Sequence, residues 1–298
     1  MMRTLSVACA AMICVSACVS SPGGRVQRPS GQAMPQQERP LLSEVAKISD
    51  LAQVKAHARN FPRASTLIVF DIDDTLLTTS EIAKNERKFF GSDRWYLWQN
   101  YGLPTEDKDK IGNCLFEVIA ANADDSTEGS QVPTQADAVS IVADIPNDML
   151  LLTSRGTSMK DATLKQLAWA KYRAIPSLGQ VAGPMPIATD GVIGVYEQGV
   201  FLTEGANKGR ALIALLDATG RRYDYVILVD DTEKNVLNMA TAMAMRGIGY
   251  LGLRYTRIKN DPPLEVTPAQ VEAHRRDWQA FLGRHPDKKT RWEGKQCK

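Results

Sequence analysis

Leu67-Ile68-Val69-Phe70-Asp71-Ile72-Asp73-Asp74-Thr75-Leu76 sets four consecutive apolar residues against a cluster of carboxylates. A continuous apolar run this short, rich in β-branched residues, is the pattern of a central parallel strand buried on both faces. Asp71 and Asp73 stand two residues apart at its end. They project to the same side, because side chains alternate along an extended chain.

The same punctuation recurs downstream. Met149-Leu150-Leu151-Leu152 runs into Thr153-Ser154-Arg155, Val226-Ile227-Leu228-Val229 runs into Asp230-Asp231-Thr232, and 248–253 reads as a weaker fourth strand. Helical apolar spacing follows at 158–172, 208–218 and 233–246. Strand, polar turn and helix in repetition predict an α/β fold with a doubly wound parallel sheet. Ligands bind such sheets beyond the carboxyl ends of the strands, so the three polar clusters are expected to converge on one site.

About 70 residues separate the first two strands, too many for a simple crossover. They predict an inserted cap over about 78–147. Its first half is aromatic (Phe89, Phe90, Trp95, Tyr96, Trp98, Tyr101) and 114–121 has helical spacing, which predicts a small helical subdomain, with a loop over 124–133. Such aromatics are more often core than a platform for a nucleobase. Leu41, Leu42, Val45, Ile48, Leu51 and Val54 predict an amphipathic helix that ends near Asn60-Phe61-Pro62. Glycines at 191, 194 and 199 among β-branched and aromatic residues predict a hairpin beside the main sheet.

The chain begins Met1-Met2-Arg3, continues into an apolar run over 5–15 and reaches Val15-Ser16-Ala17-Cys18. That run has the length of a signal-peptide core and falls short of the roughly 20 residues a membrane span needs. Val15-Ser16-Ala17-Cys18 resembles a bacterial lipobox. The resemblance implies that 1–18 are a lipoprotein signal peptide and that Cys18 is lipidated and holds the protein on a membrane. Val19, in place of Asp, resembles outer-membrane sorting and implies a location on the periplasmic face. Residues 19–40, dominated by Ser, Pro, Gly, Gln and Arg, have the composition of a flexible tether, which leaves 41–298 for the folded domain.

Lys plus Arg (36) nearly balance Asp plus Glu (34), so no overall basic field exists to hold nucleic acid. The basic 284–298 tail has the composition of a solvated terminus as much as that of an anion-binding one. Three dispersed histidines (His57, His274, His285) and no Cys-x-x-Cys disfavour a zinc hydrolase. Cys114 and Cys297 either pair in an oxidising compartment or stay free.

Phosphoryl transfer needs a nucleophile, an acid for the leaving oxygen and positive charge on the phosphoryl oxygens. A carboxylate pair alone is a weak sign of it. The whole run Phe70-Asp71-Ile72-Asp73-Asp74-Thr75-Leu76, however, resembles the first motif of the haloacid dehalogenase (HAD) superfamily. The resemblance implies a HAD-like fold, with Asp71 as the nucleophile that becomes an aspartyl-phosphate and Asp73 as the acid and later the base. Neighbouring carboxylates would raise the Asp73 pKa, while metal and lysine charge would oppose them. Thr75 is expected to hold the turn and to stand among the substrate-binding residues.

Thr153 matches the second motif, whose hydroxyl binds a phosphoryl oxygen, with Ser154 and Arg155 as additional donors. Lys208, at a helix start in Asn207-Lys208-Gly209-Arg210, matches the third, with Lys160 and Lys234 as rivals. Asp230-Asp231 resembles the acidic fourth motif. The implied Mg2+ ligands are Asp71, the Asp73 carbonyl and one of this pair: Asp231 first, with Asp230 as partner of Lys208. Asn235 stands where many relatives carry another Asp, one negative charge fewer.

The resemblance covers nearly all of 67–253 and is similar in kind to lipid-anchored secreted acid phosphatases and to exported bacterial proteins with the same opening motif. It implies Mg-dependent hydrolysis of a small phosphomonoester by a membrane-anchored periplasmic lipoprotein. A phosphomutase, or a catalytically silent HAD-fold binding lipoprotein, would share much of the pattern, since one fold hosts many reactions.

Overall fold

The computed structural model describes residues 43–79, 81–82, 86–87, 131–172, 178 and 183–258, with five further positions between 276 and 286. All of them lie in the unit Pro40–Lys298. The signal segment, the tether, Cys18, Cys114, Cys297 and the aromatic part of the insertion fall outside the described residues.

Eight strands form one sheet in the order β1-β12-β11-β2-β7-β10-β9-β8. They are β1 (Ser43–Ile48), β2 (Thr66–Phe70), β7 (Asp148–Thr153), β8 (Met185–Thr189), β9 (Val192–Glu197), β10 (Val200–Leu202), β11 (Tyr225–Asp230) and β12 (Gly249–Tyr255). The first six in that spatial order run parallel, and β9 and β8 complete one edge antiparallel.

Alternation within each apolar run divides the core in two. Ile68 and Phe70 of β2, Leu151 of β7 and Ile227 and Val229 of β11 face one way, against α1 (Ala52–Ala58), α2 (Ala138–Ala143) and α3 (Lys160–Trp169). Leu67, Val69, Leu150, Leu152, Val226 and Leu228 face the other, against α4 (Lys208–Thr219) and α5 (Glu233–Met245). Helices on both faces of a mostly parallel sheet make the fold the doubly wound α/β type expected.

Three expectations change. The helix expected from 41 to about 60 is instead the edge strand β1, paired in parallel with β12 from Ser43↔Tyr250 to Ile48↔Tyr255, followed by a helix of two turns. Val45 and Ile48 lie in the strand and Leu51 and Val54 in or next to the helix, so their spacing of three crosses a break at Ser49-Asp50. There the Asp50 carboxylate accepts the Ala52 amide at 2.8 Å.

The hairpin 191–203 belongs to the main sheet and does not stand beside it, because β10 pairs with β7. It turns at Asp190-Gly191 and Gln198-Gly199, all four with positive φ.

The insertion leaves and rejoins the domain through an antiparallel pair, β3 (Leu77–Thr79) and β6 (Gln131–Pro133), with a second short pair, β4 (Glu81–Ile82) and β5 (Glu86–Arg87), beyond it. The expected loop thus ends in a strand. The α2 residues Ala138 and Val142 pack into the main core, so the stretch after β6 is part of the sheet domain and not of the cap.

Candidate active site

Strands β11, β2 and β7 are neighbours, and their carboxyl ends carry Asp230, Asp71 and Thr153. The chain leaves β2 through a tight loop in which the Asp74 amide donates to the Leu77 carbonyl at 2.7 Å and Asp74 adopts φ 53°. An Asp tolerates that left-handed conformation better than most residues. The loop turns Asp73 and Thr75 back toward the sheet end.

Lys208 opens α4. Its Nζ lies 2.7 Å from Asp71 Oδ1 and 2.7 Å from Asp230 Oδ2, with side-chain exposures of 1%, 8% and 0% for the three residues. The two carboxylates hold the ammonium charged and push its pKa up against the opposing effect of burial. The helix start is itself anchored: Asn207 accepts the Arg210 amide at 3.1 Å, and Asp190, in the β8–β9 turn, accepts the Asn207 amide at 3.0 Å and the Arg210 guanidinium at 2.6 and 2.9 Å. Neither rival lysine takes this place. Lys160 pairs with Glu197 and Asp161 at 2.7 and 3.0 Å, and Lys234 is exposed.

Asp230 is fully buried, and both its oxygens are engaged. Besides Lys208 it accepts the Thr232 amide at 2.9 Å and the Asn235 amide group at 3.1 and 3.2 Å. Asn235 therefore orients Asp230. Asp231 is less buried than Asp230, and its amide donates to Thr75 Oγ1 at 3.1 Å. Thr75 is fully buried, and its hydroxyl ties the first motif to the fourth; among the substrate-binding residues expected, it is placed as a strut.

Thr153 is buried at the end of β7, its hydroxyl oxygen accepting the Arg155 amide at 3.2 Å, while Ser154 is exposed. The β10–α4 loop is joined to this turn by the Thr203, Glu204 and Gly205 amides, which donate to Thr153, Arg155 and Ser154 carbonyls at 3.0, 3.2 and 3.1 Å.

Asp73 differs most from expectation. Arg155 grips both its oxygens, Nε to Oδ2 at 2.9 Å and Nη2 to Oδ1 at 2.7 Å, and Gln131 adds a bond at 3.3 Å. Burial pushes the Asp73 pKa up, but the Arg155 charge and the hydrogen bonds from Arg155 and Gln131 outweigh it and hold the carboxyl below its ordinary value. Of the opposing influences on this carboxyl, the guanidinium in direct contact decides the direction, and Lys208 adds to it. Neither Gln131 nor the clamp was legible beforehand, because a Gln far along the chain in an apparent loop carries no local sign of where it folds.

Asp71, Asp230 and Asp231 each offer an oxygen within 4.8 Å of the others, the arrangement of a cation site. Burial, then the charges of Asp230 and Asp74, push the Asp231 pKa up to about 7; burial, with the charges of Asp230, Asp231 and Asp73, raises that of Asp71 well above its ordinary value against the pull of Lys208. Two buried carboxylates and the partly buried one of Asp231 around one ammonium leave negative charge uncompensated, so the donor set fits a hard divalent cation.

A family model described as "Protein of unknown function (DUF2608)" matches residues 44–284. A protein of Chlamydia trachomatis serovar D named "Putative outer membrane protein" is 24% identical over 229 residues, 76% of this chain and 83% of that protein. Similar solved structures include the class C acid phosphatase from Bacillus anthracis with tungstate bound (15% identity, 76% of this chain and 85% of that one, TM-score 0.35). Another is the HAD domain of effector protein Lem4 from Legionella pneumophila, an inactive mutant (10% identity, 71% and 93% coverage, TM-score 0.34).

Proposed function

The chain belongs to the DUF2608 family, and we propose that this member is a HAD-type phosphatase that hydrolyses a small phosphomonoester through an aspartyl-phosphate on Asp71. The observation that carries the reading is Lys208 Nζ, 2.7 Å from both Asp71 and Asp230 at the ends of adjacent strands, with Asp73 and Asp231 within reach of its charge and Thr153 at the end of the next strand. Asp71 Oδ1 is engaged by Lys208 and by the Ile72 amide at 2.7 Å, which leaves Oδ2 as the oxygen that bonds to phosphorus.

As that bond forms, the ester oxygen leaves and takes its proton from Asp73, whose carboxyl must gain that proton in the substrate complex against the downward pull of Arg155 on its pKa. Asp73 then accepts a proton from water, whose oxygen attacks the phosphorus, frees phosphate and restores the Asp71 carboxylate. Lys208 and the Thr153 and Ser154 hydroxyls carry the negative phosphoryl oxygens through both steps. Asp71, Asp231 and the Asp73 backbone carbonyl would hold Mg2+, with Asp230 behind them on Lys208. When bound, the ion would supply charge neutralisation that lets two anions meet. The same reading places the protein on the periplasmic side of the outer membrane, anchored through lipid on Cys18; among the described residues no helix is long and apolar enough to cross a membrane.

Phosphate release by the full-length protein, with and without Mg2+, across sugar phosphates, nucleotides and an aryl phosphate tests this reading. Mg-dependent release abolished by Asp71→Asn is the expected result. No release from any compound would sink it in favour of a silent binding protein, for which the engaged Asp73 carboxylate is the supporting feature. Palmitate labelling lost in Cys18→Ser tests the anchor.

A further inference from the structure

A guanidinium presents five N–H donors. In Arg155 each has a partner: Nε and one Nη2 donor go to Asp73, the other Nη2 donor to Gln131 Oε1 at 2.8 Å, and Nη1 to Thr163 Oγ1 at 2.9 Å and Gln166 Oε1 at 2.7 Å. The side chain is 5% exposed against 26% for Asp73. Thr163 and Gln166 are buried on α3, so they fix the guanidinium plane from below while its opposite edge holds the carboxylate. No donor is left to meet a phosphoryl oxygen, which separates Arg155 from the role of additional phosphate ligand that its place beside Thr153 suggests.

Gln131 completes the arrangement. Its Oε1 accepts from Arg155 and its Nε2 donates to Asp73, so it touches both members of the pair. It lies on β6, the strand by which the inserted segment rejoins the sheet domain, in register with Thr79 of β3.

We propose that Arg155 and Gln131 are positioning residues that set where the Asp73 carboxylate stands. The inference rests on the phosphatase reading. A carboxylate on a single Cβ rotates about two bonds, and a two-point guanidinium contact fixes both the direction and the plane of the group. An acid–base residue displaced by about 1 Å can lose on the order of a hundredfold in rate, so such a clamp is expected to act on turnover more than on binding.

The test compares kcat and KM for an aryl phosphate with Mg2+, and the calorimetric Kd of inorganic phosphate, in full-length wild type, Arg155→Lys, Gln131→Ala, Asp73→Asn and each of the first two variants combined with Asp73→Asn. Gln131→Ala removes less buried contact than Arg155→Lys and keeps the test available if the arginine variant does not fold. Expected are a fall in kcat of about tenfold or more, KM and phosphate Kd within about twofold of wild type, and no further loss when Asp73 is already Asn. Additive losses in the Asp73→Asn background, or phosphate binding weakened tenfold by either variant, would overturn the inference while leaving the phosphatase reading intact. A wild type without turnover overturns that reading and the inference with it.

Discussion

Lys208 Nζ lies 2.7 Å from Asp71 Oδ1, and both side chains are almost wholly removed from water. The same nitrogen reaches Asp230, so one cation separates two buried carboxylates that would otherwise repel each other. Taking away one partner of a buried ionic group leaves charge without compensation, at a cost of roughly 3–5 kcal/mol. Lys208→Met is expected to lose stability of that order in urea denaturation and to lose turnover. Adding Asp230→Asn should recover part of the stability and none of the turnover. A fully stable Lys208→Met protein would contradict the reading of the site as a charge-balanced cluster.

Asp71→Asn removes the oxygen proposed to bond to phosphorus while keeping the shape of the side chain. Turnover is expected to fall on the order of a thousandfold or more, with an unchanged far-ultraviolet spectrum. Wild-type rates in this variant would rule out an aspartyl-phosphate on Asp71.

Mg2+ should raise the thermal midpoint of wild type, with a stabilisation of about 2.7 kcal/mol when the ion is at a hundred times its dissociation constant. Asp231→Asn should lose most of that rise, because it removes the least buried of the three carboxylates that could hold the ion. Equal midpoints in Mg2+ and in chelator would remove the cation from this site.

Asp190 acts at a distance through α4. Its hydrogen bonds to the Arg210 guanidinium, then to the Asn207 amide, hold its pKa below the ordinary 3.8. A group depressed in the folded state contributes stability that is present above its unfolded pKa and fades as pH falls through the folded one. Asp190→Asn should therefore lower the thermal midpoint at pH 7 and lose its effect in strong acid. With Lys208 less firmly placed, kcat is expected to drop severalfold. A deficit that persists unchanged at low pH would mean that the charge of Asp190 is not what matters.

Gly209 follows Lys208 at the close approach of α4 and α5. A Cβ there would stand 2.6 Å from Ala242 Cβ and 2.8 Å from the Asn238 carbonyl. Gly209→Ala is expected to force the helices apart, at roughly 1–3 kcal/mol, and to carry Lys208 with the shift. Chemical denaturation and kcat, measured together, check both consequences.

The central strands were legible because a strand buried on both faces must be apolar at every position, and Leu67–Phe70, Met149–Leu152 and Val226–Val229 are. Their polar ends were legible for the complementary reason, since carboxylates and hydroxyls interrupt such a run only where it leaves the core. Lys208 was visible at a helix start, behind an Asn that caps the helix. The strand β1 was not legible: an edge strand exposes one face, so Val45 and Ile48 carry no alternation that separates them from a helix. The pairing of Arg155 with Asp73 was hidden too, as an arginine after a Thr-Ser turn reads equally well as a ligand for phosphate.

The sequence by itself thus determined the strand–helix repeat, the three polar clusters and the identities of the charged groups, because each follows from residues close together in the chain. Only the tertiary structure decided that Lys208 stands between Asp71 and Asp230, and that Gln131 and Arg155 hold Asp73. Those pairings join segments far apart in sequence, and the depth at which each charge is buried, which sets its partner and its pKa, exists only once the layers have packed.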